Sequence, residues 1–106
     1  MIKITISRDD NGICKGFWCL GHAEYAEHGQ DVVCAGVSAL VTNAINSIEE
    51  FTEDDFSCEV NPENGDVKFA FSGEVSQESW LLVESMLFGL KGIEEEYGND
   101  FILIED

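Results

Sequence analysis

His22 and Cys34, with eleven residues between them, are the pair in this chain whose types and spacing could do chemistry together. They lie in the stretch Gly21 to Ser38, which joins a strand-like segment to a long uncharged helix. The thiolate is the reactive form of cysteine, and a helix N-terminus favours negative charge. With Asp31 as N-cap, Cys34 takes the third helical position, where backbone N–H groups lack partners within the helix. Such a seat is expected to lower a thiol pKa from ~8.5 into a range of about 3.5–7.5. The same N–H groups would be placed to hold the oxyanion of an acyl transfer. An imidazole that accepts the thiol proton near neutral pH completes an activated nucleophile.

The neighbours of that pair have narrower roles. The Asp31 carboxylate caps the helix, yet its charge opposes a thiolate beside it, so its expected use is to fix the turn or orient a partner group. Gly21 lets the backbone approach closely or turn sharply next to His22. Gly29-Gln30 supplies a hinge and Tyr25 an apolar face, the parts of a loop that closes over substrate. His28, between Glu27 and Gly29, reads as a loop residue without a direct role.

The elements that must position these groups follow from periodicity. Ile2, Ile4 and Ile6 alternate with Lys3, Thr5 and Ser7 as a half-buried strand. Asp9-Asp10-Asn11-Gly12 is a hairpin turn, with Asn-Gly supplying positive φ angles, and a second strand runs from Ile13 to Leu20. A helix from Asp31 to about Glu50 turns Val33, Val37, Leu40, Val41, Ala44, Ile45 and Ile48 inward. Phe56, Cys58 and Val60 form a third strand with Cys58 in the core. Pro62-Glu63-Asn64-Gly65 turns the chain into a fourth strand bearing Val67, Phe69 and Phe71. Ser76 caps a second helix to about Tyr97, Gly98-Asn99 ends it, and Phe101 to Ile104 is a fifth strand. The order β-β-α-β-β-α-β predicts an α+β domain over 1–106, a mixed or antiparallel sheet packed with two helices.

Two helix patterns add to this. No charge occurs from Val32 to Ile48, although a quarter of the chain is charged. That predicts a first helix covered around most of its circumference, with its N-terminal end left accessible. Trp80, Leu81, Leu82, Val83, Met86, Leu87, Phe88 and Leu90 make the second helix apolar on more than one side, and the excess suggests a subunit interface.

Composition bounds the partners. The chain has 106 residues, 44% of them hydrophobic, enough for one core that buries roughly 65% of the unfolded surface. A formal net charge of -17 with five Lys and Arg argues against direct nucleic-acid binding and is compatible with a basic protein partner. Arg8-Asp9-Asp10 follows the first strand, which leaves no apolar signal block, and Ser38, Thr42, Asn43, Asn46 and Ser47 make the uncharged run too polar for a membrane span. Cys14, Cys19, Cys34 and Cys58 contain no C-x-x-C pair, so reduced thiols in the cytoplasm are expected. Cys14 and Cys19, an odd number apart on one strand, should face opposite ways. A zinc site from Cys19, His22, His28 and Cys34 has spacings that match no common finger, and no cofactor is expected.

The run Gly21-His22-Ala23-x-Tyr25-Ala26-x-x-Gly29-x-Asp31-x-Val33-Cys34-Ala35-x-Val37-Ser38-x-Leu40 resembles the signature of the ribosomal-processing cysteine protease family, Prp. The likeness extends through strand order, length, acidity and the C-terminal helix and strand. Gly36 stands where alanine is expected, a small-for-small change. The resemblance implies a Cys34 nucleophile and a His22 base, with Gly21, Asp31 and Ser38 lining or shaping the cleft. It also implies a homodimer and a flexible loop, about 23–30, over the site. The implied substrate is a basic large-subunit ribosomal protein, the twenty-seventh in the bacterial count, from which a short apolar N-terminal extension is removed. Two other classes compete: a non-catalytic acidic module binding basic ribosomal proteins, with Cys34 merely core, and a small metal-binding regulator.

Overall fold

In the computed structural model, which describes residues 1–27 and 30–106, the chain runs β1 (Ile2–Arg8), β2 (Cys14–Leu20), α1 (Val32–Phe51), β3 (Phe56–Val60), β4 (Val67–Phe71), α2 (Gln77–Tyr97) and β5 (Ile102–Glu105). The five strands form one sheet in the order β3-β4-β2-β1-β5. Every neighbouring pair is antiparallel except β1 with β5, which is parallel. This is the α+β order expected from periodicity, with a mixed sheet.

One sheet face is apolar because the register aligns the alternating side chains: Ile6 lies opposite Phe17, which lies opposite Phe69. Both helices cover that face, and Ile4, Phe17, Phe69, Val33, Val37, Ile48, Leu87 and Leu90 are almost wholly buried in the shared core. Full burial of each large member stabilises the fold by about 1.5–3 kcal/mol. The helices run antiparallel. A Cβ on Gly36 would meet Ile93 at 3.2 Å and one on Gly89 would meet Leu40 at 2.9 Å. Leu40 thus fills the notch that Gly89 leaves on α2.

Four local readings are corrected by the structure. Only Gly12 of the first hairpin has positive φ (80°), and the Asp9 side chain holds the turn by accepting the N–H groups of Asn11 and Ile13. A register shift between Ser7 and Arg8 inserts Lys15 as an extra residue in β2, so Cys14 is buried on the same side as Cys19. Cys58 is exposed, since β3 is an edge strand at whose far end Val60 is also exposed.

The fourth concerns α1, which is not covered all round. Val32, Ala35, Ser38, Ala39, Thr42, Asn43 and Asn46 are exposed. Its outward face is small and neutral rather than charged, and only the stripe Val33, Val37, Val41, Ala44, Ile48 is buried. By length and mean hydropathy (1.4) α1 could cross a membrane, but here that apolar stripe packs on the sheet. On α2 the apolar excess is real: Leu81 and Phe88, two turns apart, are 61% and 83% exposed.

Candidate active site

The site forms where β2 ends above the start of α1. Gly21 leaves the strand with φ +87°, and a Cβ there would meet the Met1 carbonyl oxygen at 2.5 Å. Both facts require glycine. Its N–H donates to Asp66 Oδ1 (2.9 Å), which ties the chain exit to the β3–β4 turn. His22 follows, exposed to solvent, and then Ala23, which is buried. Ala23 donates its N–H to Cys34 Sγ at 3.3 Å. Glu24 is the one non-glycine residue among those described with positive φ (57°), a conformation that costs about 1–3 kcal/mol and persists only where its surroundings hold it.

Those surroundings are visible at the next residue. Tyr25 donates its N–H to Asp31 Oδ2 (3.0 Å), and its ring sets its edge against Tyr97 (5.2 Å between centroids) and Phe101 (5.1 Å). A chain segment otherwise exposed is thereby pinned to the helix start on one side and to the end of α2 on the other.

Asp31 is the N-cap of α1, as expected. Its Oδ1 accepts the N–H groups of Val33 and Cys34, both at 3.0 Å, and its carbonyl accepts the N–H of Ala35 at 3.0 Å. The expectation that these groups are free for a thiolate or an oxyanion is therefore corrected: the cap has taken them. The direction of the thiol shift is corrected with it. Burial raises the Cys34 pKa above the ordinary thiol value, and the Asp31 charge and a hydrogen bond to its carboxylate add to the rise. The N–H groups of Ala23 and Glu24 pull the other way without overcoming it. Burial also acts to raise the Asp31 carboxyl, but hydrogen bonds from the backbones of Cys34 and Tyr25 and from the thiol hold it below its usual range.

His22, Glu24, Ala26, Asp31, Cys34, Ala35 and Ser38 line one cleft of about 520 Å³. Of the residues singled out in the sequence, His22, Asp31, Cys34 and Ser38 meet there, while Gly21 precedes His22 outside the lining. Ser38 is one helical turn beyond Cys34 and exposed. His28 and Gly29, read as a loop residue and a hinge, lie outside the described residues. The zinc alternative needed His28; among the described residues no group of three or more His, Cys, Asp or Glu could hold a metal ion. All four cysteines are free, and burial pushes Cys19 up to about 11. A second hollow, of about 550 Å³, lies around Gly16, Trp18 and Ala70 and holds neither a histidine nor a cysteine.

Sequence reasoning passed over Ala23, Glu24, Asp66 and the pair Tyr97 and Phe101. Backbone donors carry no side-chain signal, and Asp66 is forty-five positions from Gly21. The aromatic ring of Tyr25 was legible as an apolar element of the loop, though its partners were not.

Comparison with known proteins matches residues 1–102 to the model of the family described as cysteine protease Prp. The ribosomal processing cysteine protease Prp of Bacillus subtilis strain 168 is 39% identical over 102 residues, covering 92% of this chain and 90% of that protein. A Staphylococcus aureus ribosomal processing protease Prp, solved in complex with a covalently linked product peptide, superposes with a TM-score of 0.94 at 31% identity, covering 99% of this chain and 98% of the other. A second structure of the Staphylococcus aureus enzyme, with a substrate peptide, gives 0.87 at 30% identity, with the same coverage of the two chains.

Proposed function

The chain belongs to the cysteine protease Prp family, and on that premise we propose that it is a ribosomal processing endopeptidase in which Cys34 is the nucleophile and His22 the base. The observation that carries this reading is the cleft itself, since a thiol on a rigid helix start and a solvent-accessible imidazole twelve positions earlier line one cavity. The proposed substrate is the basic twenty-seventh large-subunit ribosomal protein, cut to release its short apolar N-terminal extension. The net charge of -17 would attract the basic body of such a substrate while the cleft receives the extension.

Chemistry proceeds as acyl transfer. His22 takes the Cys34 proton, the thiolate attacks the scissile carbonyl, and His22 returns the proton to the leaving amine before water releases the acyl-enzyme. Burial and Asp31 oppose ionisation of the thiol, so His22 has to draw its proton away. Asp31 and Ser38 shape the cleft and Gly21 aims His22. The whole of 1–106 acts as one protease domain in the cytoplasm, as a homodimer joined over the apolar stripe of Leu81 and Phe88, without contact to nucleic acid or membrane.

Incubation with the extended ribosomal protein, read by intact mass, tests the reading. The wild-type chain should release the extension, and Cys34→Ala should release none while keeping its helical signal. A Cys34→Ala variant that still cuts removes the sulfur from the mechanism. His22→Ala should slow alkylation of Cys34 near neutral pH, and an unchanged pH–rate profile removes His22 from its role.

A further inference from the structure

At the helix start the Asp31 carboxylate and carbonyl already accept the N–H groups of Val33, Cys34 and Ala35, so the donors around Cys34 are taken. An acyl transfer nevertheless needs donors for the charge it develops. The segment that follows His22 brings one to the sulfur. Ala23 directs its N–H to Cys34 Sγ at 3.3 Å. Glu24 follows in the left-handed conformation, φ 57°, and its N–H, like that of Ala23, favours the ionised thiol. Consecutive amides turned by a left-handed residue can form a nest, a backbone concavity that holds anions.

Nothing in side-chain chemistry explains why a glutamate should adopt positive φ here. The hydrogen bonds do. Gly21 to Asp66 fixes the segment before the nest, and Tyr25 to Asp31 fixes the segment after it. The chain is held so that the Ala23 amide, rather than a side chain, faces the sulfur.

Resting on the assignment of Cys34 as nucleophile, we propose that the backbone N–H groups of Ala23 and Glu24 are the anion-holding donors of this site. They bind the thiolate once its proton has gone to His22, and then the oxyanion on the carbon bonded to that sulfur. As the sulfur lone pair forms the C–S bond, the carbonyl π pair moves onto oxygen within reach of the nest. When that pair returns, the C–N bond breaks and the amine leaves with the proton from His22. Gly21 and Tyr25 are positioning residues that hold the nest in place.

The test removes one N–H and leaves every side chain in place. Cys19 and Cys34 are ligation points for assembling the chain with lactate in place of Ala23, which turns the amide into an ester and keeps the methyl group. Carried out with Cys58→Ser, so that the exposed thiol does not report, iodoacetamide labelling of Cys34 against pH should show its midpoint raised by about one pH unit. The kcat for an extended peptide should fall by about 10²–10³-fold. An unchanged midpoint, or an unchanged kcat, overturns the proposal.

Should the ester chain fail to regain its helical signal, the unmodified protein decides. The amide resonances of Ala23 and Glu24 should move with the Cys34 titration and stay still in Cys34→Ser. Stationary Ala23 and Glu24 amides in the unmodified protein overturn the proposal. The titration needs no substrate, so a chain that titrates as expected but leaves the ribosomal protein uncut would sink the substrate reading alone.

Discussion

The Asp31 carboxylate accepts the backbone N–H of Cys34 at 3.0 Å and lies close enough to the thiol to oppose its ionisation. One side chain therefore seats the cysteine and opposes its ionisation. Capping with an anion and ionising a thiol draw on the same helix N-terminus, and the nearer anion wins.

Replacing Asp31 by Asn removes the charge and keeps one oxygen for the cap, while its amide nitrogen cannot accept the Tyr25 N–H. Asparagine caps about as well as aspartate, so the helix should be retained. The charge that raises the Cys34 pKa is removed, so the labelling midpoint of Cys34 should move to lower pH, read by iodoacetamide in the Cys58→Ser background. A midpoint that stays or rises would show that Asp31 does not restrain the thiol.

At Gly21 two penalties coincide, a φ of +87° and a carbonyl oxygen 2.5 Å from where a Cβ would stand. Gly21→Ala should destabilise the fold by about 1–3 kcal/mol, measured by urea unfolding. It should also lower kcat/KM for the extended substrate, because His22 is carried on the displaced segment. Wild-type stability together with wild-type turnover would contradict the packing described.

Phe88 is 83% exposed and shares a helix face with Leu81. Phe88→Glu should convert a dimer to a monomer in sedimentation experiments without loss of helical signal. An unchanged sedimentation coefficient would place any self-association elsewhere.

Acid should destabilise the protein through identifiable carboxyls. Arg8 holds Asp106 below the ordinary carboxylate range by a paired hydrogen bond. Asp54, which accepts from both the N–H and the hydroxyl of the α2 cap Ser76, is likewise depressed, its burial being outweighed by bonds from Ser79 and Ser76. A carboxyl whose folded pKa is depressed contributes stability above its unfolded value, and this is lost as pH falls through the folded one. Tm should therefore fall as pH drops from about 4 toward 2, and the fall should be smaller in Asp106→Asn. An equal fall in both would assign the acid sensitivity to other groups.

Period-two and period-3.6 patterns at Ile2 to Ile6, Val33 to Ile48 and Val67 to Phe71 determined the order and type of every element, since they record which side chains leave water. Asp31 and Ser76 marked both helix starts, because a cap acts on backbone only two or three residues away. The pairing of His22 with Cys34 was legible as a motif. The direction of the Cys34 shift, the contact of Ala23 and the aromatic seat of Tyr25 were decided only by the tertiary structure. Each depends on distances between residues far apart in the chain, or on backbone groups that every residue carries alike. A sequence can single out a thiol, but the charge it holds is set by what folding brings within a few ångströms of it.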